Sequence, residues 1–174
     1  MLFNSYFFIF LFLPTVLLVF YLISRSGNYK FLVSWLILSS LFFYGWWNAY
    51  YLGLILFSIV FHYSIGIFLL EKRRKIVLVI GMVGNILLLA YFKYANFFID
   101  NMNYALGSNV VLEEIILPLA ISFFTFQQIT YLVDAFNRET KEYSFLNYCL
   151  FVLFFPQLIA GPIVHHKEMM PQFE

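Results

Sequence analysis

Apolar residues fill this chain in blocks long enough to cross a bilayer, separated by short polar or basic connections. The first block, residues 6–23, carries no charge over 18 residues, about the minimum for a span. It opens Met-Leu-Phe-Asn and runs into Ser24-Arg25-Ser26, whereas a cleaved secretory signal opens basic and closes on small residues. It therefore reads as a retained helix, with a kink expected at Pro14 that neighbouring helices can support. Residues 31–44 form a second block, in which Ser34, Ser39 and Ser40 can bond back to their own helix. The aromatic run 42–48 then marks an interface and a turn. Residues 50–70 are the third block, closed by Glu71-Lys72-Arg73-Arg74-Lys75, and residues 76–92 are the fourth.

The second half is less regular. In residues 94–109, Tyr94, Phe97, Phe98, Met102 and Ala105 share a helical face, with Asn96, Asp100, Asn101 and Asn103 largely elsewhere. That pattern predicts a separate amphipathic helix lying in the membrane interface. Residues 117–133 are a fifth block, opened by Pro118 and interrupted by Ser122, Thr125, Gln127, Gln128 and Thr130. A polar loop is expected over 134–143, and a last block, 145–164, is broken by Pro156 and Gly161-Pro162. The expected fold is all-α: a single polytopic membrane domain over 1–174, with about six hydrophobic segments and one interfacial helix.

Composition makes a soluble domain untenable. Hydrophobic residues are 63% of the chain and charged residues 11%, against about 25% charged in soluble domains. Aromatics reach 23%, and Tyr and Trp favour the membrane–water boundary. The net charge of +1 gives no reason to expect nucleic acid as a partner. The single cysteine, Cys149, forbids an intrachain disulfide and reads as a small buried hydrophobe. Basic residues cluster in alternate connections: Arg25 and Lys30 in the first, Lys72 to Lys75 in the third, Arg138 and Lys141 in the fifth. The others hold only Lys93, with Asp100, Glu113 and Glu114. By the positive-inside rule the odd connections are cytoplasmic and the N-terminus is extracytoplasmic. Whether the last block crosses or re-enters stays open.

Candidate chemistry is sparse. His62 shares a helix face with Ser58 and Gly66, small residues that permit close helix approach. An intramembrane histidine is a functional candidate, but with no second titratable group in its span it reads as structural. Asn85, beside Gly81 and Gly84, reads the same way. His165 and His166 are adjacent, face different ways on a helix and lack metal-ligand spacing, so a solvated or headgroup-level pair is expected. The interrupted segments carry more information. Pro118 with Ser122, Thr125 and Gln127, and Pro156 with Gln157 and Gly161, place broken backbone and hydrogen-bonding side chains at membrane depth. Such backbone survives only inside protein or beside a wet cavity. The five residues Ser122, Thr125, Gln127, Gln157 and Gly161 are thus candidates for the wall of a substrate path, with tightly packed kinked helices as the alternative.

These same stretches carry a resemblance. Met1-Leu2-Phe3-Asn4-Ser5, residues 42–48, Tyr91-Phe92-Lys93-Tyr94-Ala95-Asn96-Phe97-Phe98, residues 117–127, Tyr131-Leu132-Val133-Asp134 and residues 154–170 stand in the order found in the membrane-bound O-acyltransferase family. The chain resembles the N-terminal part of its bacterial branch, the alginate and related polysaccharide O-acetyltransferases. The resemblance implies a multi-pass enzyme of the bacterial inner membrane that moves acetyl from a cytoplasmic donor, acetyl-CoA or another acyl carrier, onto an exported polysaccharide. It also implies a periplasmic acetyltransferase partner. The family's catalytic histidine is expected beyond Glu174, so no catalytic role transfers to His62, His165 or His166, and the chain alone is expected to be inactive. A transporter-like subunit and a non-catalytic scaffold are the competing readings.

Overall fold

The computed structural model describes residues 3–107, 115–140, 144–161 and 166–173; within these, the side chains of Ile159, Ala160, Lys167 and Pro171 are left aside. Pro162, His165, Lys141, Glu113 and Glu114, all used above, lie outside the described residues. Every regular element described is helical. A π-helical turn at Phe8–Phe12 leads into α1 (Leu13–Ser24), followed by α2 (Tyr29–Trp47), α3 (Tyr50–Glu71) and α4 (Lys75–Leu106). Then come α5 (Ile121–Asn137), α6 (Phe145–Leu153), α7 (Phe155–Ala160), α8 (His166–Met169) and a 3-10 turn, Met170–Gln172.

Local chemistry explains most boundaries. Pro14 has no N–H and crowds the carbonyl four residues back, and the preceding turn is widened to a π turn. That is where the expected distortion of the first block is found. Gly27 takes φ +64° between α1 and α2, and the Asn28 side chain caps α2 by accepting the Phe31 N–H at 3.4 Å. Asn48 Oδ1 accepts the Tyr50 N–H at 2.9 Å at the start of α3, and Ser144 accepts that of Asn147 at 3.3 Å at the start of α6. α4 ends at Gly107, in the left-handed region at φ +63°.

Among the described residues, three helices, α2, α3 and α4, are long and apolar enough to cross a membrane. At 1.5 Å per residue they measure about 28, 33 and 48 Å, against a hydrocarbon core of about 30 Å. α4 corrects the expectation of a separate amphipathic helix. Residues 94–106 are helical but continue the fourth block without a break. No Pro or Gly stands between Phe92 and Asn96 to stop the helix, and Lys93 alone does not. The amphipathic pattern begins about 20 residues into α4, where a helix of this pitch would leave the hydrocarbon.

The molecule is built outward from its least regular parts. α6 is buried from Tyr148 through Leu153, and α5 buries Ile121, Phe124, Tyr131, Leu132 and Ala135. α1 buries only Val16, and α4 only Gly81 and Asn85. Large apolar side chains such as Leu18, Phe57, Ile76 and Leu87 are exposed on α1, α3 and α4, as faces meant for lipid or further helices are.

Candidate functional site

The buried face of α5 sits in a cleft made by small residues. A Cβ on Gly66 of α3 would come within 2.3 Å of the Tyr131 ring, and one on Gly81 of α4 within 2.6 Å of Leu132 Cδ1. Only glycine lets the helices meet this closely. Along the same α3 face lies a polar network. Ser58 Oγ donates to Gln128 Oε1 at 2.8 Å. With that hydrogen engaged, His62 Nδ1 is the donor to the Ser58 carbonyl, 2.8 Å away, and the tautomer follows. Asn85 Nδ2 reaches the Gly81 carbonyl at 3.4 Å. His62, Asn85, Ser58 and Gln128 are all buried. His62 and Asn85 thus bond back to their own helices at a three-helix junction, and the Ser58–Gln128 bond joins α3 to α5.

The second feature is the break in the last block. α6 stops at Leu153, Phe154 leaves the helical region (φ −51°, ψ 104°), and α7 restarts with Pro156 in its first turn. Pro156 cannot donate to the Val152 carbonyl, and its ring would crowd that carbonyl in a continuous helix. The bond next to it, from Phe155 N–H to Phe151 C=O, is also lost, and each half is taken up by another helix. The Phe155 N–H donates to Ser40 Oγ of α2 at 3.2 Å. The Phe151 carbonyl accepts Gln127 Nε2 of α5 at 3.3 Å. Ser40 keeps its own hydroxyl hydrogen on the Leu36 carbonyl, 2.7 Å away. Around the break, the Phe155 ring packs at 5.3 to 6.2 Å from Phe8, Phe12 and Phe43. Ser40 stands about 16 Å along α2, so the break lies near mid-depth of the bundle.

The chain then turns back. His166 is buried beside Phe151 and Tyr131, with ring centroids 5.1 and 6.0 Å away, and its Nδ1 lies 3.3 Å from Thr140 Oγ1. Thr140 follows the end of α5, and α6 starts at that same end, where Asn147 Oδ1 accepts the Tyr29 hydroxyl at 3.1 Å. The last block therefore enters and returns to the end at which it began. His166 is a correction to the expected solvated pair: apolar rings cover it and Thr140 gives it a polar neighbour. The expected polar loop is corrected too. α5 runs on to Asn137 and buries Asp134, because no helix breaker precedes Arg138. α5 also starts four residues later than the fifth block, after Ala120 adopts φ +57° behind Pro118.

The basic connections gather at this end of the bundle. Arg73 stacks over the Phe136 ring at 4.8 Å, joining the third connection to the end of α5, and Tyr29 joins the first connection to α6. At the opposite end, Phe7 stacks on Trp46 at 4.9 Å and the Tyr51 hydroxyl donates to the Ile116 carbonyl.

The five path candidates are not equivalent. Gln127 is buried, supports the α6 break and has its Oε1 without a hydrogen-bond partner. The Thr125 hydroxyl is directed to the Ile121 and Ser122 carbonyls at 2.8 and 2.9 Å, inside its own helix. Ser122 and Gln157 are half-buried. Gly161 closes α7 against Gln157, whose Cγ and Cα a Cβ there would meet at 2.5 and 2.8 Å. Ser40 and Gln128, which complete both polar arrangements, were not singled out by sequence. Ser40 looked like any serine bonding back to its helix, and it does, but its lone pairs also serve α7. Cys149 is buried, as its apolar surroundings predict.

No family model and no solved structure matches this chain. It is 43% identical, over all of its length, to the peptidoglycan O-acetyltransferase of Helicobacter pylori. It is also 37% and 36% identical, over 99% of its length, to the probable alginate O-acetylases AlgI of Pseudomonas aeruginosa and Azotobacter vinelandii. The chain spans 39%, 34% and 36% of the lengths of these three relatives.

Proposed function

Taking as premise that this all-α membrane chain resembles, end to end, one part of the bacterial polysaccharide-acetylating membrane-bound O-acyltransferases, we propose that it works within such an enzyme. The reaction is transfer of acetyl to hydroxyl groups of a cell-surface or exported polysaccharide. The observation that carries this reading is a 43% identical match covering the whole chain, to a relative whose name states that reaction.

The role proposed for this chain is to build the wall of the acyl path. A helix broken at mid-depth needs its exposed backbone groups satisfied, and Ser40 and Gln127 do so at the α6–α7 break. That leaves the break as a stable feature beside which a polar acyl carrier or sugar could pass. Gln127, with a free Oε1, and Gln157 and Gly161 on the far side of the break are the wall residues of choice; Ser122 and Thr125 are secondary. His62 and Asn85 are structural polar groups at the junction of α3, α4 and α5. The donor is acetyl-CoA or another acyl carrier, and a periplasmic acetyltransferase is the proposed partner. The location is the bacterial inner membrane, with the N-terminus extracytoplasmic. Gathering of the basic connections at one end of the bundle supports that orientation.

A segment exchange tests the reading. The matching part of the Helicobacter pylori peptidoglycan O-acetyltransferase is replaced by this chain, and peptidoglycan O-acetylation is measured in the chimera-bearing strain. Recovery of acetylation is expected; a chimera present at normal level but without acetylation rejects the proposal.

A further inference from the structure

α4 outruns the helices that pack on it. Gly81 of α4 lies against Leu132 of α5, and Phe92 meets Tyr51 of α3 with ring centroids 6.1 Å apart. Ile121, where α5 starts, stands about 16 Å along its helix from Leu132. That puts the start of α5 level with Phe92, and α3 starts at Tyr50, at the same level. From Lys93 to Leu106, about 20 Å of helix, α4 projects past both neighbours.

Along the open side of α4, positions 76, 80, 83, 87, 90, 94, 97, 101 and 104 alternate in steps of four and three. That is the heptad spacing of a coiled-coil seam. The a positions are Ile80, Leu87, Tyr94 and Asn101; the d positions are Ile76, Val83, Ala90, Phe97 and Tyr104. Every large apolar side chain on the seam is at least 43% exposed. Lys93 and Asp100 lie beside the seam and not on it, and Asn96, Ile99 and Asn103 on the opposite face are half-buried. Inside the hydrocarbon an exposed apolar side chain needs only lipid, which suffices for Ile76 to Leu87. Phe97 and Tyr104 stand about 8 and 18 Å beyond Phe92, past what acyl chains cover, and the seam runs on through them.

We propose that α4 pairs along this seam with α4 of a second copy, as a parallel two-stranded coiled coil. Both copies insert the same way, so equal positions meet across the pair. The seam offers roughly 800 Å² per copy, what one partner of a standard stable interface buries. Asn101 stands at an a position, where a lone asparagine fixes register and strand number. Its Nδ2 donates to the Phe97 carbonyl at 2.6 Å, which leaves Oδ1 and the second N–H to bond the same residue of the second copy. A 3.5-residue repeat drifts about 20° per heptad on a straight helix, so the pair supercoils left-handedly. The drive comes from the projecting part, because within the hydrocarbon lipid is as apolar as the seam.

Disulfide trapping tests this. Cys149→Ser removes the one native cysteine, and single cysteines are placed in the full chain, in membranes, at Phe97, Asn101 and Tyr104 on the seam. Met102→Cys and Leu106→Cys, exposed but off the seam, serve as controls. After copper phenanthroline oxidation, the three seam positions are expected to give at least fivefold more covalent dimer than the two controls. Phe97→Ser with Tyr104→Ser should lower trapping at Asn101→Cys at least tenfold, with the amount of chain in the membrane unchanged. Similar yields at all five positions would mean random collision in lipid, and no dimer at any would mean that lipid or another protein covers the seam. Either result overturns the proposal, as does trapping at Asn101→Cys undiminished by the two serines. The readout needs no acetyl transfer, so its failure leaves the proposed reaction untouched.

Discussion

The Phe155 backbone N–H and the Ser40 hydroxyl meet at 3.2 Å, across 115 residues of sequence, where the last hydrophobic segment breaks. This bond and its counterpart from Gln127 to the Phe151 carbonyl replace one lost helical hydrogen bond with two side-chain bonds from neighbouring helices. Removing either side chain leaves a buried backbone group unpaired, which costs about 1–3 kcal/mol. Ser40→Ala and Gln127→Leu are each expected to destabilise the chain by that amount in reversible unfolding in detergent. Their double mutant should be non-additive, because both act on the same break. Strict additivity would mean that the two bonds are independent.

Glycine at the helix cleft gives a graded prediction. Gly66→Ala drives a methyl into the Tyr131 ring, fully buried and backed by Tyr148 of α6, 4.4 Å away. Gly81→Ala meets only the tip of Leu132, which can change rotamer. Gly66→Ala should therefore cost roughly 1–3 kcal/mol, as overpacking does, and Gly81→Ala less. Leu132→Val should rescue the second and leave the first unchanged, with thermal unfolding midpoints as the readout.

Ala120 and Arg138 bracket α5 in the left-handed region at φ +57° and +61°. Glycine takes that conformation without a Cβ penalty. Ala120→Gly should be neutral or stabilising by up to ~1 kcal/mol, whereas Ala120→Val should destabilise clearly. A stabilised valine variant would show that this backbone geometry is not the native one.

The wall assignment predicts a loss of transfer without a loss of protein. In the Helicobacter pylori relative, leucine placed at the positions matching Gln127 and Gln157 should reduce peptidoglycan acetylation at least tenfold, with the protein still in the membrane. Gln127→Leu weakens folding as well, so Gln157→Leu is the cleaner variant. Unchanged acetylation with Gln157→Leu removes it from the wall.

Re-entry of the last segment has its own test. In a Cys149→Ser background, single cysteines at Ser26, Asn48 and Glu168 are probed with a membrane-impermeant thiol reagent. Ser26→Cys and Glu168→Cys should be labelled from one face, Asn48→Cys from the other. Labelling of Glu168→Cys together with Asn48→Cys would mean that the segment crosses.

Hydrophobic block lengths and Lys/Arg placement were enough to determine an all-α membrane chain, the three long apolar helices α2, α3 and α4, and the common side of its basic connections. Bilayer thickness and the cost of burying charge act on composition directly, without reference to what packs on what. Pro14, Pro118 and Pro156 likewise marked irregularities, since a missing N–H is a local property. Other features were decided only in three dimensions. Nothing near residue 93 states whether a helix turns into the interface or runs on, and α4 runs on. His166 is polar in sequence yet buried, because Phe151 and Tyr131 come from other helices to cover it. Ser40 and Gln127 acquire their roles only when α2 and α5 are brought to the α6–α7 break. A hydrogen bond to a broken helix depends on what lies across the gap, and that is set by packing between segments 24 and 115 residues apart.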